Sequence, residues 1–345
     1  MRRSGLAWMQ EAALDGLATG VGSLPPMEPA AAVAMAARCC PGIPFWPQLP
    51  GRDPREQALE QGLAGLEDLI SPGDGPFLFE IRDRRAFQRV AAAPPPWGVE
   101  HASGLVAFEA AIPDGLRGAR ALKGQLIGPI TLAASLRWQG RPIWDDAPLL
   151  RALGVRAAWQ AADQAARLRR GRVPVILVLD EPSLGMLPAE VLSPEGPAFE
   201  ALIWALAAIQ AHGAIAGLHC CSTPPWGLLT RLPVDLISFD ASRDGARLFD
   251  DADGRTLAAT RWVAWGLVPT DADPAALEPM RLALDWLASV PEGLDPVVMA
   301  RRALVTPACG LAGVEPARAE GLLKLAGAVG AEIRRMTLGL LAAVE

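Results

Sequence analysis

Val175-Ile176-Leu177-Val178-Leu179-Asp180-Glu181-Pro182 is an unbroken apolar run that ends in two carboxylates and a proline. Such a run, rich in Val, Ile and Leu with no polar alternation, reads as a strand buried on both faces, the kind found in parallel sheets covered by helices. Proline then ends the regular structure. Two carboxylates delivered to the C-terminal end of a buried strand are costly unless they find partners, so each serves either as a helix cap or as a functional group.

The same rhythm extends outward in both directions. Downstream lie a helix over Pro197–Ala211, a strand over 214–220, and a strand over Leu236–Phe239 that ends at Asp240 and is followed by Ser242 and Arg243. Trp262–Val268 and residues 304–307 are two more apolar runs, the last leading into Cys309-Gly310. Upstream, residues 147–170 form a long Ala/Leu/Arg helix, and Leu122–Ile127 is a strand turned by Gly128-Pro129-Ile130-Thr131. Residues 56–70 have the spacing of an amphipathic helix, and the apolar run 42–50 is closed by prolines. Residues 71–118 form a less regular excursion, with a loop over 91–96 and a strand over 104–112. The first run, Leu17-Ala18-Thr19-Gly20-Val21-Gly22-Ser23, passes into Leu24-Pro25-Pro26. About eight strands alternating with helices predict an α/β protein, a (β/α)8 TIM barrel, with residues 1–345 as a single domain.

Composition narrows the function. The chain has 345 residues, 51% hydrophobic, and a formal net charge of −6. That balance predicts a soluble acidic protein and excludes a nucleic-acid surface built on clustered Lys and Arg. Lys123 and Lys324 are the only lysines, which leaves little room for lysine-based covalent catalysis. Residues 201–230 carry no acidic or basic side chain apart from His212 and His219. This is long enough for a membrane span, but His212-Gly213 and Pro224-Pro225 divide it into a buried helix and a buried strand, so no membrane partner is expected. Gln10, Glu11 and Asp15 interrupt the stretch after Met1-Arg2-Arg3 before an export signal can form. Five cysteines, an odd number, fit a reducing compartment, and the expected location is cytoplasmic.

The stretch Gly217-Leu218-His219-Cys220-Cys221 carries the chemistry. Side chains alternate along a strand, so His219 and Cys221 share one face and Cys220 points the other way. Alone, this pair reads more readily as packing. At the ends of neighbouring barrel strands stand Asp240 and Cys309, and together the four offer one nitrogen, two sulfurs and one oxygen, a set that suits tetrahedral zinc. Cys220, Cys39 and Cys40 are assigned to packing, and His101 and His212 to structure or surface. Gly20-Val21-Gly22-Ser23 is either a plain turn or a ligand loop.

Taken in order, Thr19-Gly20-Val21-Gly22-Ser23-Leu24-Pro25, Gly128-Pro129-Ile130-Thr131, Asp180-Glu181-Pro182, His219-x-Cys221, Ile237-Ser238-Phe239-Asp240-Ala241-Ser242-Arg243 and Pro307-Ala308-Cys309-Gly310-Leu311 resemble the catalytic C-terminal half of cobalamin-independent methionine synthase. The resemblance covers nearly the whole chain. It implies a (β/α)8 barrel in which zinc binds the homocysteine thiol and lowers its pKa for attack on a methyl group. It also implies zinc ligands at His219, Cys221, Asp240 and Cys309, with Asp240 one methylene shorter than the family's glutamate. Gly22, Ser23, Gln48 and Asp180 fall at positions that hold the amino-acid portion of the substrate, Gln48 standing where the family has a glutamate. The family's N-terminal half has no counterpart in the sequence, nor has the tryptophan near Ala134 that packs on folate.

The expected activity is therefore that of a zinc-dependent methyltransferase. It would activate a small thiol, homocysteine or similar, and take its methyl group from a corrinoid protein or methylcobalamin more readily than from methylfolate. Two other readings remain open: an enzyme of the uroporphyrinogen decarboxylase type, and a zinc- or corrinoid-binding module without turnover.

Overall fold

The computed structural model describes residues 15–113, 116 and 118–342. The interrupted stretch that follows Met1 lies largely outside them. Seven parallel strands form one curled sheet: β1 (Leu17–Ala18), β2 (Leu122–Ile127), β3 (Val175–Asp180), β4 (Ile215–Cys220), β5 (Leu236–Phe239), β6 (Trp262–Val268) and β7 (Ala303–Pro307). Their order in the sheet is β1-β7-β6-β5-β4-β3-β2. Helices follow most strands, as parallel connections require.

The sequence alternation sorts the side chains into two cores. On the concave face Ile176, Val178, Ile215, Leu236, Ala264 and Leu304 pack together with Ile43 and Ala121. On the convex face Val175, Leu177, Leu179, Leu218, Cys220, Phe239 and Trp265 join the helices in the main core. Along β3, β4 and β5 the concave side begins with the apolar Ile176, Ile215 and Leu236, and ends with the polar Asp180, His219 and Ser238. The concavity thus has an apolar floor and a polar rim.

The eight-stranded barrel is met in part. The regular ladder stops at seven strands, and the gap between β1 and β2 is crossed by residues 43–48 through single bridges, Phe45 to Lys123 and Ser23 to Gln48. Pro44 and Pro47 have no N–H to give, so a continuous ladder cannot form there. Trp46 N donates to Lys123 O at 3.2 Å and Gln48 N to Gly22 O at 3.1 Å. Side chains supply what the ladder lacks: Trp46 Nε1 donates to Gln164 Oε1 at 2.9 Å, and Gln125 Nε2 to Trp46 O at 2.9 Å. Gln164 sits on the helix Ala147–Leu168, whose buried positions Leu150, Leu153, Ala157, Ala161 and Ala165 recur at helical spacing.

Three expectations change. Residues 104–111 belong to the helix Val99–Ala111, with Ile112 as its C-cap, rather than to a strand, and Leu105 and Phe108 are buried on one helical face. The excursion around them is more regular than expected, with a second helix over Arg84–Ala91 and a small sheet of Ile70–Pro72, Phe79–Ile81, Leu136–Trp138 and Arg141–Pro142. Residues 56–70 hold only the short helix Ala58–Leu63 between two 3-10 turns, because Ala64 leaves the helical conformation. The buried Arg156 guanidinium donates to the carbonyls of Gly62 and Ala64 at that end. Residues 201–230 divide as expected into a helix and β4, and among the described residues no helix is long and apolar enough to cross a membrane.

Replacing Trp46 by Phe keeps a ring in place but leaves Gln164 Oε1 without its donor. Urea denaturation should show a loss of about 1–2 kcal/mol, with a coupling of about 1 kcal/mol to Gln164→Leu in a double-mutant cycle. Strict additivity of the two changes would show that the indole does not hold this seam.

Candidate metal centre

The polar rim is built by register. Asp180 on β3 stands opposite His219 on β4, and His219 opposite Ser238 on β5. Cys221 follows β4 directly, and Cys309 lies just past β7, whose end is fixed by Ala308 N donating to Val268 O at 2.8 Å. A ring nitrogen of His219 and the Sγ atoms of Cys221 and Cys309 lie within 4.8 Å of one another. His219 Nδ1 is 2.9 Å from Ser238 Oγ, while Nε2 is buried with no hydrogen-bond partner. Parity holds as expected: Cys220 faces the other way, into the convex core.

This donor set fits a metal ion. Zinc bonds of about 2.0–2.3 Å in a tetrahedron place the donor atoms about 3.5–3.8 Å apart, so the cluster needs only a small contraction around an ion. The unpartnered Nε2 is the atom such an ion would engage. Charge is arranged to match. The neighbouring Cys221 thiol, with His219 also adjacent, holds the Cys309 thiol down to about 4. The same contact, together with burial, pushes the Cys221 thiol up. The pair thus favours negative charge on Cys309 over Cys221, and an incoming cation would displace a proton that Cys221 retains.

Two acids and a lysine surround the cluster. Burial raises the Asp180 carboxyl to about 6 against the opposing pull of His219 and Lys123, and its Oδ1 is buried without a partner. Lys123 is buried in the concavity, where its Nζ donates to Val21 O at 2.6 Å and Gln125 Oε1 at 3.0 Å. Burial lowers its pKa to about 8. Glu181 is a cap. Its carboxylate accepts from Ile130 N at 2.9 Å, Thr131 N at 2.7 Å and Thr131 Oγ1 at 2.6 Å, at the start of the helix Pro129–Ser135. The two adjacent carboxylates of the opening motif thus divide the alternatives between them: Glu181 caps a helix and Asp180 faces the site.

Asp240, expected as the fourth ligand, is not part of the cluster. Its Oδ1 accepts from Ser242 N at 3.1 Å and Ser242 Oγ at 2.5 Å, capping the helix Ala241–Asp250. Ser23 borders the centre, since a side chain on Gly310 would collide with Ser23 Oγ and Leu311 N donates to Ser23 O at 2.9 Å. Gly22 is required by packing, because the Gln125 side chain occupies the space a Cβ would need. Gln48 donates through Nε2 to Gln61 Oε1 at 2.7 Å, so that amide anchors the neighbouring helix Ala58–Leu63. His101 lies between Glu67 and Glu100, at 3.3 and 3.4 Å, and His212 Nδ1 meets Ala208 O at 2.8 Å. The sequence reading did not single out Lys123 or Ser238 as part of the site. The parity of β5 would have placed Ser238 inward, but only the register shows it opposite His219.

The loop after Cys221 contributes Thr223, Pro224 and Trp226 to a groove of about 540 Å³ that Leu184, Leu187 and Arg231 also line, and none of the three clustered donors lines it. The fold is similar to that of a methyltransferase from Methanosarcina mazei, with a TM-score of 0.50 over 96% of this chain and 99% of the other, at 14% sequence identity. The likeness is one of fold. No protein-family model matches the chain, and no curated protein does.

Because Asp240 caps a helix, Asp240→Ala should lower stability by about 1 kcal/mol in thermal or urea unfolding. Metal analysis of the purified variant should give the parental stoichiometry. Loss of the metal in this variant would return Asp240 to the ligand set.

Proposed function

We propose that the chain is a zinc-dependent methyltransferase whose acceptor is a small thiol and whose methyl donor is a methylated corrinoid rather than methylfolate. The observation that carries this reading is the His219, Cys221 and Cys309 cluster, three convergent donors with the buried Nε2 left unpartnered. Three protein ligands and an open fourth position are the pattern of a catalytic zinc site. A zinc ion held there supplies the positive charge that keeps an incoming thiol deprotonated near neutral pH.

The surrounding residues support the remaining steps. Asp180, with a free carboxylate oxygen beside His219 and Cys309, is placed to pair with an ammonium on the thiol substrate. Ser23, packed against Gly310, is positioned to orient the other end of that substrate. The transfer itself is an in-line displacement. A sulfur lone pair forms the bond to the methyl carbon while the methyl–donor bond breaks and leaves its electron pair on the donor. The thiol proton is released to solvent water beforehand, so little acid–base assistance is needed in the transfer step. The resemblance to methionine synthase motifs and the methyltransferase named among similar folds agree with this chemistry. The choice of a corrinoid rests on the missing tryptophan near Ala134.

Purified protein should contain about one zinc, by the stoichiometry of a single such site, and Cys309→Ala should lose it. A methyl-transfer assay should cross methylcobalamin, a methylated corrinoid protein and methylfolate against homocysteine and other small thiols. Transfer from a corrinoid and none from methylfolate is expected. Zinc retained in full by Cys309→Ala, or a zinc spectrum unchanged by added thiol, would overturn the assignment.

A further inference from the structure

We infer that Ser238 is a positioning residue for the metal centre, holding the His219 ring so that Nε2 points at the ion. The inference rests on the metal-site reading above and extends it to a residue that contributes no ligand atom. Ser238 occupies a concave position of β5 between the levels of Leu236 and Asp240, with Ala264 beside it in register on β6. Leu236 before it on the strand and Ala264 beside it are apolar, and a buried hydroxyl there is costly unless it is used. Its partner is His219 Nδ1, at 2.9 Å, on the adjacent strand. Both residues are buried, His219 with 3% and Ser238 with 7% of its surface exposed.

The direction of this hydrogen bond decides what the ring can do. When Nδ1–H donates to the serine oxygen, the Nε2 lone pair is free to bind a cation. The hydrogen bond also fixes the ring plane, which otherwise has a broad two-fold rotation, and raises the donor strength of Nε2. Ser238 is neutral, so the donor set of one imidazole and two thiolates keeps the charge that balances a divalent cation; a carboxylate in its place would add a further negative charge.

The test measures zinc affinity by competition with a chromophoric chelator, using the purified full-length protein and its Ser238→Ala, Ser238→Thr and His219→Ala variants. Ser238→Ala should bind zinc about ten- to a hundredfold more weakly, the range found when such partners of metal-bound histidine are removed. Ser238→Thr, which retains the hydroxyl, should stay near the parent. The metal-free parent and Ser238→Ala proteins should unfold at similar temperatures, which separates positioning from general destabilisation. Unchanged affinity in Ser238→Ala, with zinc lost in His219→Ala, would refute the role of Ser238 alone. Equal weakening in Ser238→Thr would refute it as well. A parent protein with no measurable zinc affinity would remove the metal centre itself.

Discussion

Everything at the site depends on the register of the ladder from β3 to β5. Because Asp180, His219 and Ser238 stand side by side across three hydrogen-bonded strands, a carboxylate, an imidazole and a hydroxyl meet at one level of the concave face. A slip of one residue in any of these strands would turn its polar group into the convex core, among leucines and alanines. The apolar positions below them, Ile176, Ile215 and Leu236, are what prevent the slip. Packing in the floor thus sets the geometry of the rim.

Around that row the chain keeps several ionisable groups out of water, and each is balanced in a different way. Glu181 is satisfied by three donors from a helix start. Lys123 is satisfied by a carbonyl and an amide, with the Asp180 charge nearby. Cys309 shares its proton balance with Cys221 and His219. Asp180 keeps a buried oxygen without a hydrogen bond, and it faces the thiols and the imidazole rather than the packed core. Buried polar groups left without partners are costly in water-excluded surroundings, so they are held in place by the fold around them.

Much of this was legible in the sequence, for reasons that can be given residue by residue. Runs buried on both faces, such as 175–179 and 262–268, have no competing pattern, and they fall where the strands are. Strand parity placed His219 and Cys221 together and Cys220 apart. The helix over 99–111 was misread because the apolar run that follows Gly104 is short, although Leu105, Phe108 and Ile112 follow helical spacing. Asp240 drew attention as an acid at a strand end, yet Asp240-Ala241-Ser242 ahead of a helix also has the form of a local cap, and the local hydrogen bonds prevailed. Ser238 depends on pairing between strands distant in sequence, which no single segment reveals.

The proline-broken segment between β1 and β2 bears on how the protein behaves among other copies of itself. A curled sheet that stops at seven strands has two edges, and exposed edges are templates for pairing with another chain. Here both edges are covered by residues 43–48, which bond at a few points and lack donors at Pro44 and Pro47. The cover occupies the edges without presenting a complete strand of its own. A run that fails to finish the barrel as a regular ladder therefore still occupies the edges that another chain would need for pairing.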